Sequence, residues 1–228
     1  MCQDDFSYEG EWKNGKREGF GILIKKEKAK YIGEFIEDNL NGFGKLIFEN
    51  GDEYIGYWKD SQANGFGLYN KKNDISYQGW WKNDRQNGFG IEKWTRFEYI
   101  GEFLNGNKKG FGILNMKDGI YEGEMRNGNI DGIGCFIFND KRKYEGNWKN
   151  NKLNGYGVFT WPDGRKYIGN YINNKKDGYG EFIWNDGKRY KGFWKDGKQN
   201  GEGEILFPPN QIWQKGNWEN GKRIKLIE

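Results

Sequence analysis

The side chains that could do chemistry are few, and their spacing is repetitive. Carboxylates two residues apart, Glu9 with Glu11 and Glu122 with Glu124, would share one face of a strand and have the spacing of a general acid and base. The same pairing recurs along the chain, which marks it as surface chemistry and not a unique catalytic pair. Gly-x-Gly tripeptides resemble phosphate cradles, but none stands in a strand-to-helix Gly-x-x-x-x-Gly-Lys-Ser or Gly-x-Gly-x-x-Gly context. Histidine is absent, which removes the usual general base, zinc ligand and pH switch together. Cys2 and Cys135 provide neither a disulfide framework nor a thiolate metal site. No catalytic, cofactor-binding or metal-binding residue is predicted, and the chain is expected not to be an enzyme.

Basic clusters at Lys25-Lys26-Glu27-Lys28, Lys108-Lys109, Lys141-Arg142-Lys143 and Lys175-Lys176 fall at or near loops. There they would meet solvent, acidic proteins or anionic headgroups. Nearby acids such as Asp131, Asp140 and Asp177 dilute them. A net charge of +4 from 37 basic and 33 acidic residues gives a weak long-range field, so nucleic acid is not expected as a partner. Each exposed lysine would add only about 1 kcal/mol at an anionic membrane. There is no long apolar stretch, signal-peptide core or glycosylation sequon, so the expected compartment is reducing and cytoplasmic.

The elements that must position these groups come from one repeated unit. Tyr8, Tyr31, Tyr54, Tyr77, Tyr99, Tyr121, Tyr144, Tyr167 and Tyr190 each open a Tyr-x-Gly tripeptide, at spacings of 22 or 23 residues. An aromatic follows two residues later in every copy except the sixth, which has Met125, with Ile133 replacing Phe further along. Repetition at this period fixes the architecture before composition does. The boundaries are a tail over 1–7, nine repeats over 8–206 and a degenerate capping copy over 207–228. In that last copy Gln214 stands in the tyrosine position, behind an insertion carrying Pro208 and Pro209.

Each copy reads as a β-hairpin. Asn14-Gly15, Asn105-Gly106, Asn127-Gly128, Asp196-Gly197 and Asn220-Gly221 suit a two-residue turn with positive φ, and Asn83-Asp84, Asn150-Asn151 and Asn173-Asn174 are variants. A second turn, at Asn50-Gly51, Asp118-Gly119, Asp163-Gly164 and Asp186-Gly187, joins successive hairpins. Gly-x-Gly follows each anchor by eleven and thirteen residues. Uninterrupted pairing from the turn would set Gly10 opposite Gly19 and Tyr8 opposite Gly21, with the tyrosine ring covering strand glycine.

Tyr-x-Gly-x-Trp, Asn-Gly and Gly-x-Gly at this period resemble the membrane occupation and recognition nexus, or MORN, repeat, over about residues 8 to 221. The resemblance implies an all-β fold: an elongated single-layer antiparallel meander of about nine hairpins. It also implies a non-enzymatic scaffold, such as the cytoskeletal and radial spoke proteins of cilia. Alternatives within the family are a tether on anionic membrane and a regulatory arm for an enzyme on another chain.

Alternation places the anchors on one face with Trp12, Phe35, Trp58, Trp81, Phe103, Trp148, Tyr171 and Trp194, and with Leu23, Leu46, Leu114, Phe136, Phe159 and Phe182. The other face carries Phe20, Phe43, Phe66, Phe89 and Phe111 among polar residues. A single sheet has no second layer, so the first face is expected to form an aromatic groove that captures partner peptides. Its predicted partner-binding residues are Tyr31, Phe35, Tyr54, Trp58, Tyr77, Trp81, Tyr99, Phe103, Trp148, Tyr171 and Trp194. The expected partners belong to a cytoskeletal or axonemal assembly.

Overall fold

The computed structural model describes residues 6–26, 28–72, 75–209 and 212–227. Cys2, Glu27 and most of the predicted tail lie outside them. The chain divides into two compact units, one up to Leu114 and one from Asn115 onward. Twenty strands, and no helix, are found among the described residues.

The first unit runs through β1 (Phe6–Lys13), β2 (Lys16–Lys25), β3 (Ala29–Ile36), β4 (Asn39–Phe48), β5 (Glu53–Lys59), β6 (Gln62–Lys71), β7 (Ile75–Lys82), β8 (Arg85–Trp94), β9 (Phe97–Leu104) and β10 (Asn107–Met116). The second runs through β11 (Gly119–Arg126), β12 (Asn129–Phe138), β13 (Lys143–Lys149), β14 (Lys152–Thr160), β15 (Lys166–Ile172), β16 (Lys175–Ile183), β17 (Arg189–Lys195), β18 (Lys198–Leu206), β19 (Trp213–Glu219) and β20 (Lys222–Ile227). Within each unit every strand pairs antiparallel with the next in sequence, as in β2 with β3 and β15 with β16. The result is a meander of hairpins.

The turns take the conformation that their residues favour. Asn14 and Gly15 have φ of 52° and 76°, and Lys13 pairs with Lys16 across them. The register beyond the turn differs from the expected one. Gly10 faces Gly21 and Tyr8 faces Leu23, because pairing shifts by two residues between Gly10 and Trp12. Gly19, at φ 67°, turns left-handed at that point and lets Glu18–Phe20 bulge opposite Glu11. A shift of two preserves the alternation of faces, so the side assignments survive the change in partner.

The glycines that do face one another leave a flat floor on which each anchor tyrosine lies. A Cβ at Gly33 would stand 2.6 Å from the Gly44 Cα, and one at Gly44 would stand 2.2 Å from the Tyr31 hydroxyl. The hydroxyl reaches across the floor and donates to the Glu34 carbonyl at 3.2 Å. Tyr144, Tyr167 and Tyr190 repeat the bond to Asn147, Asn170 and Phe193.

Within each unit, every hairpin turn after the first is also clamped to the hairpin before it. The amide of Asp38 donates to the Arg17 carbonyl, and the Asp38 carboxylate accepts the Arg17 amide at 2.9 Å. Ser61, Asp84, Asn151 and Asn174 make the same return bond to Leu40, Ala63, Ile130 and Leu153. Where glycine occupies that turn position, as at Gly197, only the backbone half of the clamp exists: its amide donates to the Lys176 carbonyl.

Two predictions follow from the glycine floor. Gly169→Ala places a Cβ 2.5 Å from the Gly180 Cα and is expected to cost about 3 kcal/mol in urea unfolding; an unchanged midpoint would refute the close approach. Burial pushes Tyr99, Tyr144 and Tyr190 up to about 12 from 10.0. Folding therefore favours their neutral form, a contribution complete below the unfolded value and lost as pH rises toward the folded one. Stability should begin to fall above about pH 10, with phenolate absorbance lagging behind that of free tyrosine until the protein unfolds.

Candidate partner-binding surfaces

The ring face is closed by its own side chains. Seven of the nine anchor tyrosines meet the aromatic of their own copy and that of the next copy edge to face; Tyr99 and Tyr121, on either side of Met125, each meet one. Tyr31 stands 5.2 Å from Phe35 and 5.6 Å from Trp58, and Tyr167 stands 5.1 Å from Tyr171 and 5.3 Å from Trp194. Such pairs add about 0.5–1.5 kcal/mol each beyond the area they bury. The indole nitrogens of Trp58, Trp81, Trp148 and Trp194 donate to the carbonyls of Gly44, Gly67, Gly134 and Gly180. Trp12, in the first described copy, is 58% exposed, whereas Phe35 in the second is 1% exposed.

Among the predicted partner-binding residues, Tyr31, Phe35, Tyr54, Trp58, Tyr77, Tyr99, Phe103, Trp148, Tyr171 and Trp194 are buried, and Trp81 is half-buried. Their surface is spent on neighbouring rings, and what stays open is a set of clefts along the edge of the ladder. In the first unit a cleft of about 540 Å³ is lined by Tyr31, Leu46 and Trp58, and one of about 450 Å³ by Tyr54, Trp58 and Trp81. In the second unit Trp194 lines a cleft of about 290 Å³ with Lys176 and Trp184.

Sequence reasoning undervalued the opposite, bulge face. Phe43, Tyr57, Phe66, Trp80 and Phe89 stand on the five consecutive strands β4 to β8, and all are exposed. Phe43 pairs with Tyr57 and Phe66 with Trp80 in register, with ring centroids 5.5 and 6.1 Å apart. A second row on this face, two residues along, pairs Ile22 with Ile32, Ile55 with Leu68 and Ile91 with Ile100. The corresponding row of the second unit pairs Ile168 with Glu181, Glu181 with Lys191 and Lys191 with Glu204. The position three after the anchor carries the signal: most copies have Glu or Asn there, and Tyr57, Trp80 and Phe193 replace it, the first two in adjacent copies. In the usual copies that side chain serves the bulge, as where Glu34 accepts the Phe43 amide at 3.2 Å.

Among the basic clusters, Lys108 and Lys176 lie within β10 and β16 and turn onto the ring face. The Lys108 ammonium sits 4.3 Å from the Trp94 ring and bonds Glu92. Of the others, Arg142 pairs with Asp140, Lys143 with Glu145 and Lys175 with Asp196.

The remaining candidates for chemistry are occupied or subdued. Buried Asp52 accepts from Tyr69 at 2.7 Å, the Lys72 amide and Asn50. The tyrosine bond, then the amide, hold its carboxyl below the usual range. Burial pushes the Cys135 thiol up, and it stands in register between Glu122 and Glu145. No cluster of His, Cys, Asp and Glu able to hold a metal ion occurs among the described residues. No helix there is long and apolar enough to cross a membrane.

The MORN repeat family model matches nine successive segments between residues 8 and 211, from 8–26 to 190–211. No curated protein matches the sequence. The fold is similar to the wild-type TCP10 domain of Danio rerio CPAP, whose structure is in complex with a peptide of Danio rerio STIL. Identity is 14% over 97% of this chain and 99% of that one, with a TM-score of 0.54. The E1021V mutant of that domain aligns at 13% identity over 91% and 98% of the two chains, with a TM-score of 0.48.

The two faces should respond differently to truncation. Trp58→Ala removes a buried ring and its hydrogen bond and is expected to cost about 3–5 kcal/mol. Trp80→Ala, at a site 53% exposed, should stay within about 0.5 kcal/mol. Paired urea melts check this, and equal losses would show that the bulge face is not a free surface.

Proposed function

Because the chain belongs to the MORN repeat family, we propose that it is a non-enzymatic scaffold that holds extended segments of partner proteins within a multiprotein assembly. The observation that carries the reading is the row of exposed rings from Phe43 to Phe89 on one face of the first unit, beside a row in which Ile55, Leu68 and Ile91 alternate with Lys45 and Gln78. A row of exposed rings of this kind marks protein-interaction sites. The clefts beside Trp58 and Trp81 on the other face provide pockets for individual side chains of such segments. The peptide complex of the fold-sharing CPAP domain supports the same use of an open β-meander.

The proposed setting is cytoplasmic, in a cytoskeletal or axonemal assembly of the radial spoke kind, the role that the repeat array suits best. A tether on anionic membrane draws less support. Lys108 and Lys176 face rings, and Arg142, Lys143 and Lys175 are already paired with acids.

The test is affinity capture from native cell extract with the wild type and with the Phe66→Ala, Trp80→Ala double variant. Filament or axonemal proteins should be recovered in stoichiometric amounts and lost with the two rings. Recovery of a free monomer, or a partner set indifferent to the double variant, would sink the reading.

A further inference from the structure

Three copies place a cation nine residues after the anchor tyrosine, on the ring face: Arg17, Lys108 and Lys176. In two of them an acid of the protein completes the site. Arg17 Nε meets Asp38 Oδ1 at 3.0 Å, with its guanidinium 5.3 Å from the Phe35 ring. Lys108 meets Glu92, with both side chains largely buried. The third lacks its acid. The Lys176 ammonium lies 4.2 Å from the Phe182 ring, 4.6 Å from Trp194, 5.0 Å from Tyr167 and 5.6 Å from Trp161. It forms no ion pair among the described residues. The position equivalent to Glu92 is Phe159, and the position equivalent to Asp38 is Gly197.

Glycine at 197 removes a second partner as well. In five other copies the side chain at that turn position accepts the backbone amide that corresponds to Lys176. Gly197 has no side chain to offer, and a Cβ built on it meets nothing within 4 Å. The vacant acceptor position opens into the cleft of about 290 Å³ lined by Lys176, Trp184, Trp194, Gly197, Lys198 and Gln199. No acid lines that cleft.

We propose that this cleft is a carboxylate-binding site, which takes an aspartate or glutamate side chain from an extended segment of a partner protein into the position that Asp38 fills in the second copy. The incoming oxygens accept from the Lys176 amide and pair with its ammonium, which the four rings already hold in place. A volume at the small end of ligand sites suits a single side chain. The unpaired ammonium is costly as it stands: burial among the rings, with Arg165 adding, lowers Lys176 to about 8, and a carboxylate would restore it. The other groups facing it are the Tyr167 phenol and Lys198, neither of which supplies negative charge at neutral pH.

The inference rests on the scaffold reading, because it specifies the chemistry of one captured residue. Its test uses the full chain and two probes, N-acetyl-glycyl-aspartyl-glycine amide and the asparaginyl analogue. Acylation of Lys176 by an amine-selective reagent at mildly alkaline pH is followed by mass spectrometry, and its backbone amide by NMR. The aspartyl probe should move the amide resonance and slow acylation by about tenfold, the effect of raising the lysine by about one unit; the asparaginyl probe should do neither. Gly197→Asp should slow acylation unaided and abolish the response to the probe. Aspartate is suited to the positive φ there, as Asp38 at 71° shows.

Equal behaviour of the two probes overturns the site. So does protection by phosphatidylserine vesicles without protection by the aspartyl probe, which would assign the cleft to a headgroup. A partner set captured from extract that is indifferent to Gly197→Asp counts against this inference alone. Recovery of no partner by the wild type counts against the scaffold, and leaves the probe titration readable.

Discussion

The contact on which the rest of the structure depends is a phenol ring laid over two glycines that face each other across a hairpin. At Tyr167 a Cβ on Gly169 would stand 2.7 Å from the hydroxyl and one on Gly180 would stand 2.4 Å from it. No other residue type could replace those glycines without lifting the ring. Once down, the ring has its hydroxyl satisfied by a carbonyl three residues on and both edges against aromatics. Burial, hydrogen bonding and ring geometry are thus met by one side chain per copy. A layer one sheet thick has no opposing layer to pack on, and this is how it builds a core: the strands supply the floor and the rings supply the second layer.

Much of this was legible in the residues. The period, the turn positions and the alternation of faces follow from the tyrosines, the Asn-Gly pairs and a side-chain repeat of two. The cross-strand register did not follow, because counting outward from the turn assumes an uninterrupted ladder. The first glycine of each Gly-x-Gly does not lie flat; Gly19 turns left-handed and adds two residues to the return strand. A bulge of two leaves no trace in the face pattern, so hydrophobic alternation carries no warning of it. The glycine itself was the only sign.

The inward lysines were within reach of the same counting. From the turn at Asn173-Asn174, Ile172 faces Lys175 and Tyr171 faces Lys176, which puts Lys176 on the ring face by elementary alternation. Lysine pairs read as a solvated loop because their charge was weighed before their parity. The exposed rings at Tyr57 and Trp80 were missed for a related reason. Attention to the repeating aromatics directs the eye to positions that every copy needs for folding, and those positions are the buried ones.

An array of identical copies would present identical surfaces, so individuality has to come from positions where a copy departs from its neighbours. Two kinds of departure are visible. At the position three after the anchor, Tyr57, Trp80 and Phe193 give up the carboxylate or amide that steadies the bulge and gain exposed rings. At the turn, Gly197, like Gly106 and Gly221, lacks the return half of the clamp that Asn174 makes one copy earlier, and here it leaves a cleft beside a lysine with no ion pair among the described residues. Each departure forgoes a local hydrogen bond worth about 0.5–1.5 kcal/mol, in a fold where the tyrosine and its glycines are kept in all nine copies. Local stability is given up where the fold can spare it, and the groups left without partners are those that we propose recognise another molecule.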